Sequence, residues 1–201
     1  MLKLTTVDNQ RGSALVVALL MLVVLTLLGI AAITTSTTEV EISGNEKLSK
    51  MAFYGADAGT ETGCELLEQN IDQRNWTDNS ILPNANVAVM NGSFYLNRSS
   101  DAGINPVPSD TNQDATLPLS AVNTSGSPYT VITTIYPRTN LKFVGNTRLS
   151  TGSAVQMAAG YEGKGKAAAA GGAWVIYDIR SQNQGVRNSK AMVDLQWRHV
   201  M

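Results

Sequence analysis

The 201 residues carry 15 Lys and Arg against 16 Asp and Glu, a formal net charge of −1, which leaves no basic footprint for nucleic acid. With 43% hydrophobic and 15% charged residues, the composition fits one helix-bearing domain of modest size beside an apolar segment. The single cysteine, Cys64, excludes an internal disulfide, and one cysteine with one histidine, His199, excludes a Cys/His metal cluster.

Residues 1–12 are polar and include Lys3 and Arg11. Residues 12–38, GSALVVALLMLVVLTLLGIAAITTSTT, follow without a single charge. As a helix, residues 14–33 span about 30 Å, the thickness of the hydrocarbon core of a bilayer. Lys3 and Arg11 precede the segment and Glu39 and Glu41 follow it. That bias places the N-terminus in the cytoplasm and the rest of the chain outside, a single-pass arrangement. Three fates are open to the segment. It is a secretory signal cleaved after Ala31 or Ala32, a plain anchor, or a third kind of segment suggested by the abrupt junction of Gln10-Arg11-Gly12 with Ser13-Ala14-Leu15. The run exceeds the 7–15 apolar residues of a usual signal, which counts against the first.

The helical pattern continues to about Gln69. Leu48, Met51, Ala52, Gly55, Gly59, Gly63 and Leu66 recur at spacings of three and four and share one face. Glycine inside a helix costs about 1 kcal/mol relative to alanine, so Gly55, Gly59 and Gly63 call for something packed closely against them. That partner is either the chain's own sheet or a neighbouring subunit. Gly44-Asn45 reads as a softening of the helix. Eight acidic residues and two lysines lie between residues 39 and 73. They form a solvated acidic face, or one that meets basic residues of neighbours.

After Asn70 the composition turns to Asn, Ser, Thr, Gly and Pro. Strands are expected at 87–90, 93–97, 129–136, 142–148, 154–158, 173–180 and 191–200. Asn91-Gly92 reads as a hairpin turn between the first two, and 181–185 as the turn between the last two. Residues 99–128 read as an exposed polar loop region.

Three motifs bear on chemistry. Residues 160–166, GYEGKGK, match the phosphate-cradling spacing GxxxxGK, but Ala167 stands where the magnesium-binding hydroxyl belongs, so a glycine-rich connection is expected. Asp110, Asn112 and Asp114 have the D-x-N-x-D spacing that opens a calcium loop. Ala115 replaces the turn glycine and Ala121 the closing glutamate, which leaves an acidic turn unless ligands come from elsewhere. No nucleophile motif accompanies His199, and Cys64 reads as a small packing residue. No cofactor and no enzymatic activity are expected.

The abrupt junction Gln10-Arg11-Gly12 against Ser13-Ala14-Leu15, the run LVVALLMLVVLTLLGIAA, Ser43-Gly44-Asn45 and MAFYGADAGTETG together resemble the type IV pilins, and among them the PilX-type minor pilins. The likeness covers roughly the first third. It implies an α+β, pilin-like fold: a long N-terminal α-helix, membrane-spanning in its first half, with a C-terminal antiparallel β-sheet packed on its outer half. The divisions would be a leader at 1–12, the helix at 13–70 with 13–33 as membrane span and fibre core, and an exported domain at 71–201. Gly12 and Ser13 would be the processing site, with N-methylation at Ser13. Leu15, Val16, Val17, Leu19, Leu20, Leu27 and Leu28 would form the assembly helix, and Leu48, Ala52, Gly55, Gly59, Gly63 and Leu66 a packing ridge.

The implied partners are prepilin peptidase, other minor and major pilins and a tip adhesin, first in the bacterial inner membrane and then in a surface fibre. Most pilins carry glutamate as the fifth mature residue, whereas Val17 stands there. Its carboxylate would partner the α-amino group of a neighbour in the apolar fibre core. A chain without it fits a place with no subunit above, hence a tip or priming role. A type II secretion pseudopilin and an anchored or secreted binding domain are the alternatives.

Overall fold

The computed structural model describes residues 11–74, 76–97, 107–149 and 173–200. One helix, α1 (Arg11–Gln73, 63 residues), opens the chain. Two compact units, Met1–Lys47 and Leu48–Met201, are described in turn.

In the first unit, residues 11–47 are helical throughout, as expected of a run rich in Leu, Val and Ala with no proline. Its threonine hydroxyls bond within the helix. Thr26 donates to the carbonyl of Val23 (2.8 Å), Thr34 and Thr35 to that of Ala31 (2.8 and 3.0 Å), Thr37 to Ile33 (2.9 Å) and Thr38 to Thr34 (2.8 Å). Polar side chains bonded this way leave no group needing water. Among the described residues this is the one helix long and apolar enough to cross a membrane. Gly44-Asn45 does not interrupt it, since helical residues on both sides carry the backbone bonding through.

In the second unit, residues 48–73 of α1 lie on a six-stranded antiparallel sheet of order β1-β2-β3-β6-β7-β8. Its strands are β1 (Ser80–Leu82), β2 (Val87–Val89), β3 (Ala115–Leu117), β6 (Arg138–Leu149), β7 (Ala173–Gln184) and β8 (Lys190–Val200). A separate pair joins β4 (Val122–Asn123) to β5 (Thr130–Val131). β7 alternates with the pleat, whereas β6 is buried on both faces over 138–141 and 143–145. Val175, Tyr177, Ile179, Ser181 and Asn183 of β7 and Thr139, Leu141 and Phe143 of β6 are buried. With Leu66, Leu67 and Ile71 of α1, the apolar members form a core around Phe94 stacked on Phe143, with ring centroids 4.2 Å apart.

Glycine sets how closely helix and sheet approach. A Cβ on Gly55 would lie 2.5 Å from Asn183 Nδ2, and one on Gly63 2.8 Å from Ile179 Cγ2. A Cβ on Gly59 would lie 2.6 Å from Thr139 Cγ2 and press on Ser181 Oγ. By contrast, one on Gly44 meets nothing within 4 Å.

Several expected strands differ. Residues 93–97 form a 3₁₀ turn, Phe94–Leu96, rather than a strand. Asn91-Gly92 makes no hairpin, because β2 pairs with β1 on one side and β3 on the other. Gly92 is instead pinned: its N–H donates to Asp78 Oδ1 (2.6 Å) and its carbonyl accepts from Asn70 Nδ2 (2.7 Å). The run 129–136 shortens to β5, because Arg138 Nη1 gathers the carbonyls of Thr133 and Ile135 (3.0 and 3.2 Å) into a turn. β7 continues through Gln184, paired on both sides, so the last turn lies at 185–189, with Arg187 and Asn188 at φ 55° and 60°. The expected loop region 99–128 contains β3, whose Ala115 and Thr116 are fully buried. The strand expected at 154–158 lies outside the described residues.

Overfilling a packed contact costs typically 1–3 kcal/mol. Gly59→Ala should therefore lower the unfolding free energy of the detergent-solubilised chain by about that amount, while Gly44→Ala should leave it unchanged or raised, read from denaturant titrations followed by circular dichroism.

Candidate functional site

The surface that distinguishes this chain starts at its first helical turn. Gly12 and Ser13 lie there, next to Arg11 at the head of α1. Leu15, Val16, Val17, Leu19, Leu20, Leu27 and Leu28 are each between 57% and 69% exposed, around every side of the helix. A helix apolar all round is complete in hydrogen bonding and incomplete in packing, so lipid or other helices must cover it.

Further along α1, Ala52, Gly59, Gly63 and Leu66 are buried, while Leu48 and Gly55 are half-buried. Gly55, Gly59 and Gly63 face Asn183, Ser181 and Ile179 of this chain's own β7. Met51, expected on the same face, is exposed at its edge, and the opposite side of this stretch stays open, with Phe53 and Tyr54 exposed beside Asp57, Glu61 and Glu65.

Asp110, Asn112 and Asp114 do not converge on a common point, for each is bonded to other partners. Asp110 takes a two-pronged contact from Arg138 (Nε 3.0 Å, Nη2 2.8 Å) and a bond from Asn140 Nδ2 (2.8 Å). Asn112 Oδ1 accepts from the backbone N–H and hydroxyl of Ser109 (2.7 and 2.8 Å). Asp114, 1% exposed, accepts from Lys142 Nζ (3.1 Å), the Phe143 N–H (2.9 Å), Asn91 and Asn97. Among the described residues no cluster of three or more His, Cys, Asp or Glu forms a metal site.

Arg138, 3% exposed, is the element the sequence reading missed. It joins Asp110, Gln184 and the 133–135 carbonyls and lies over the Tyr136 ring at 4.7 Å. The available signal was its place directly before the β-forming run 139–144, where a charge must find a partner. Burial raises the Asp110 carboxyl, but hydrogen bonds from Arg138 and Asn140 and the charges of Arg138 and Lys190 outweigh it, and its pKa falls below the usual value. The bond to Asp110 raises that of Arg138 against the effect of its burial.

Cys64 is free and half-buried, and burial with Glu61, Glu68 and Glu65 nearby raises its thiol, which disfavours the thiolate. His199 faces Glu68 through Nδ1 at 3.1 Å, and the Trp197 indole N–H donates to the same carboxylate. The contact ties β8 to α1. The GxxxxGK run at 160–166 lies outside the described residues.

A carboxyl whose folded pKa is depressed adds stability above its unfolded pKa of about 3.9 and loses it as pH falls through the lower folded value. Acid unfolding of the intact chain should thus include a component below about pH 4 that Asp110→Asn removes. Asp110→Ala should lower stability near pH 7 by about 3 kcal/mol, because Arg138 stays buried without its carboxylate, measured by urea titration.

The family model described as PilX N-terminal matches residues 11–61, or 51 of the 201 residues. No curated protein and no solved structure matches the chain. The matched stretch runs from the head of α1, through the uncharged segment, to the helix face that carries Gly55 and Gly59. With the long apolar helix followed by an antiparallel sheet, an α+β pilin-like arrangement, this match supports a PilX-like type IV pilin family for the chain.

Proposed function

We propose that the chain is a minor pilin of a type IV pilus, cut between Gly12 and Ser13 by a prepilin peptidase and built into a priming or tip complex. One observation carries the reading: a helix uncharged and exposed over residues 12–38 lies within a PilX N-terminal match, and the same helix continues into a segment packed on an antiparallel sheet. Such pilins are structural, non-catalytic subunits. The work is non-covalent exchange of surroundings.

In the cytoplasmic membrane, with the N-terminus inside and residues from Leu48 onward outside, lipid covers Leu15, Val16, Leu19, Leu20, Leu27 and Leu28. In the fibre, helices of other minor and major pilins replace that lipid. Helix association in an apolar medium runs on packing, so neither setting alters the internal hydrogen bonds.

Val17 decides the position. A neighbour's α-amino group entering an apolar core needs a negative partner, and valine offers none. The chain therefore receives no pilin above it and occupies the end, where the outer domain meets other minor pilins or a tip adhesin.

Mass spectrometry of the membrane and sheared-fibre fractions should find the mature chain beginning at Ser13, with an N-methyl group. A start at Ala32 or Ile33, or an intact Met1, overturns the pilin reading. Val17→Glu restores the missing carboxylate and should spread immunogold label from fibre ends along the shaft; label that stays terminal overturns the positional argument while leaving the first result standing.

A further inference from the structure

Strand β8 ends the six-stranded sheet, and among the described residues nothing pairs with its outer side. It is a long edge of 11 residues, KAMVDLQWRHV, in continuous register with β7 from Gln184↔Lys190 to Trp174↔Val200. Edges are usually blunted by a bulge, a proline, shortness or charged side chains, and this one has only the charges. Its charges lie four residues apart on the face away from α1: Lys190, Asp194 and Arg198. On the α1 side lie Ala191, Val193, Leu195, Trp197 and His199, opposite the buried β7 residues Asn183, Ser181, Ile179, Tyr177 and Val175.

We infer that β8 is a self-recognition edge that pairs antiparallel with β8 of a second copy, with Gln196 on the two-fold axis. A two-fold perpendicular to the sheet pairs the edge with itself and keeps both α1-facing rows on one side, which limits the registers. Centring on Asp194 sets Lys190 against Arg198 twice and Asp194 against itself, three like-charge pairs. Centring on Leu195 opposes Asp194 to Gln196 and Met192 to Arg198, with no ion pair. Centring on Gln196 sets Asp194 against Arg198 twice and Leu195 against Trp197 twice, joining two cross-strand ion pairs to two aliphatic–aromatic pairs.

Asp194 already holds Arg180 at 2.9 Å but is 42% exposed, which leaves access for a second cation. Main-chain bonds of this kind supply affinity, and the side-chain pattern supplies register. The contact closes after two copies, and because the two-fold runs residues 48–73 of the two copies in opposite directions, it joins outer domains that face each other rather than copies anchored side by side in one membrane or stacked in one fibre.

The test uses the full-length chain in detergent with Cys64→Ala as background. In the Gln196-centred register, Gln196→Cys faces its own copy at the Cα separation a disulfide accepts, whereas the two Met192→Cys positions lie about 27 Å apart. Mild oxidation should link Gln196→Cys into dimers and leave Met192→Cys monomeric. Arg198→Asp should weaken dimerisation of the otherwise unaltered chain about tenfold in sedimentation, and adding Asp194→Arg should recover most of the loss. Linking at neither position, equal linking at both, or linking of Gln196→Cys to another protein instead of its copy overturns the proposal, as does sedimentation of the unaltered chain as a monomer at all concentrations.

Discussion

The close contact between α1 and β7 is the constraint on which the second unit depends, and it rests on a match of two repeats. Gly55, Gly59 and Gly63 advance by four residues, about 6 Å of helix, while Asn183, Ser181 and Ile179 step back by two, about 6.8 Å of strand. The two spacings stay in step over three contacts, so helix and strand run side by side in opposite directions with one glycine above each inward side chain. Ala52, Ala56, Thr60, Leu66 and Leu67 fill the space to either side. The small residues are therefore consumed inside the chain. Any neighbour meets the other side of α1, with Tyr54, Asp57 and Glu61.

Beyond that contact, the fold is held by polar groups more than its short strands lead one to expect. Asp114 accepts bonds from residues at the end of β2, the Phe94–Leu96 turn and β6, and its backbone carbonyl takes the N–H groups of Met90 and Asn91 (2.8 and 3.2 Å). Asn70 reaches from α1 to the Gly92 carbonyl and accepts the Tyr95 N–H at 3.2 Å. A buried carboxylate is tolerated only when its oxygens are filled, and here both are. Three-residue strands such as β1, β2 and β3 cannot hold themselves together. These cross-links do so instead, which explains how a segment poor in large apolar residues is buried.

Periodicity made the helix and the long strands legible. The uncharged run, the three-and-four spacing and the β-branched stretches around 142–148, 173–180 and 191–200 each favour one element by themselves. What the sequence hid depends on partners far along the chain. Asn91-Gly92 has the chemistry of a hairpin turn, yet Asp78 and Asn70 hold it as a pinned corner. Ser93 to Asn97 has strand composition, but Phe94 turns inward to stack on Phe143, a contact across 49 residues. Asp110 and Asp114 matched a metal-loop spacing because that spacing records only separation. Their side chains go to Arg138 and Lys142, which no local pattern connects to them.

The first unit obeys the opposite economy. Its threonine hydroxyls are spent on its own carbonyls, its backbone bonds are internal, and its apolar side chains from Leu15 to Ile33 are exposed. Such a segment is indifferent to which apolar medium surrounds it, so transfer from lipid to a bundle of like helices breaks no hydrogen bond and moves no side-chain charge. Under the proposed processing the one new charge is the α-amino group at Ser13, which can stay at the membrane interface in lipid. Within a bundle it needs a carboxylate from another chain, and because Val17 cannot return that service the dependence runs one way. A polymer made only of such chains would bury an unpaired amine at every step, so under the proposed function the chain needs partners that carry the acid it lacks.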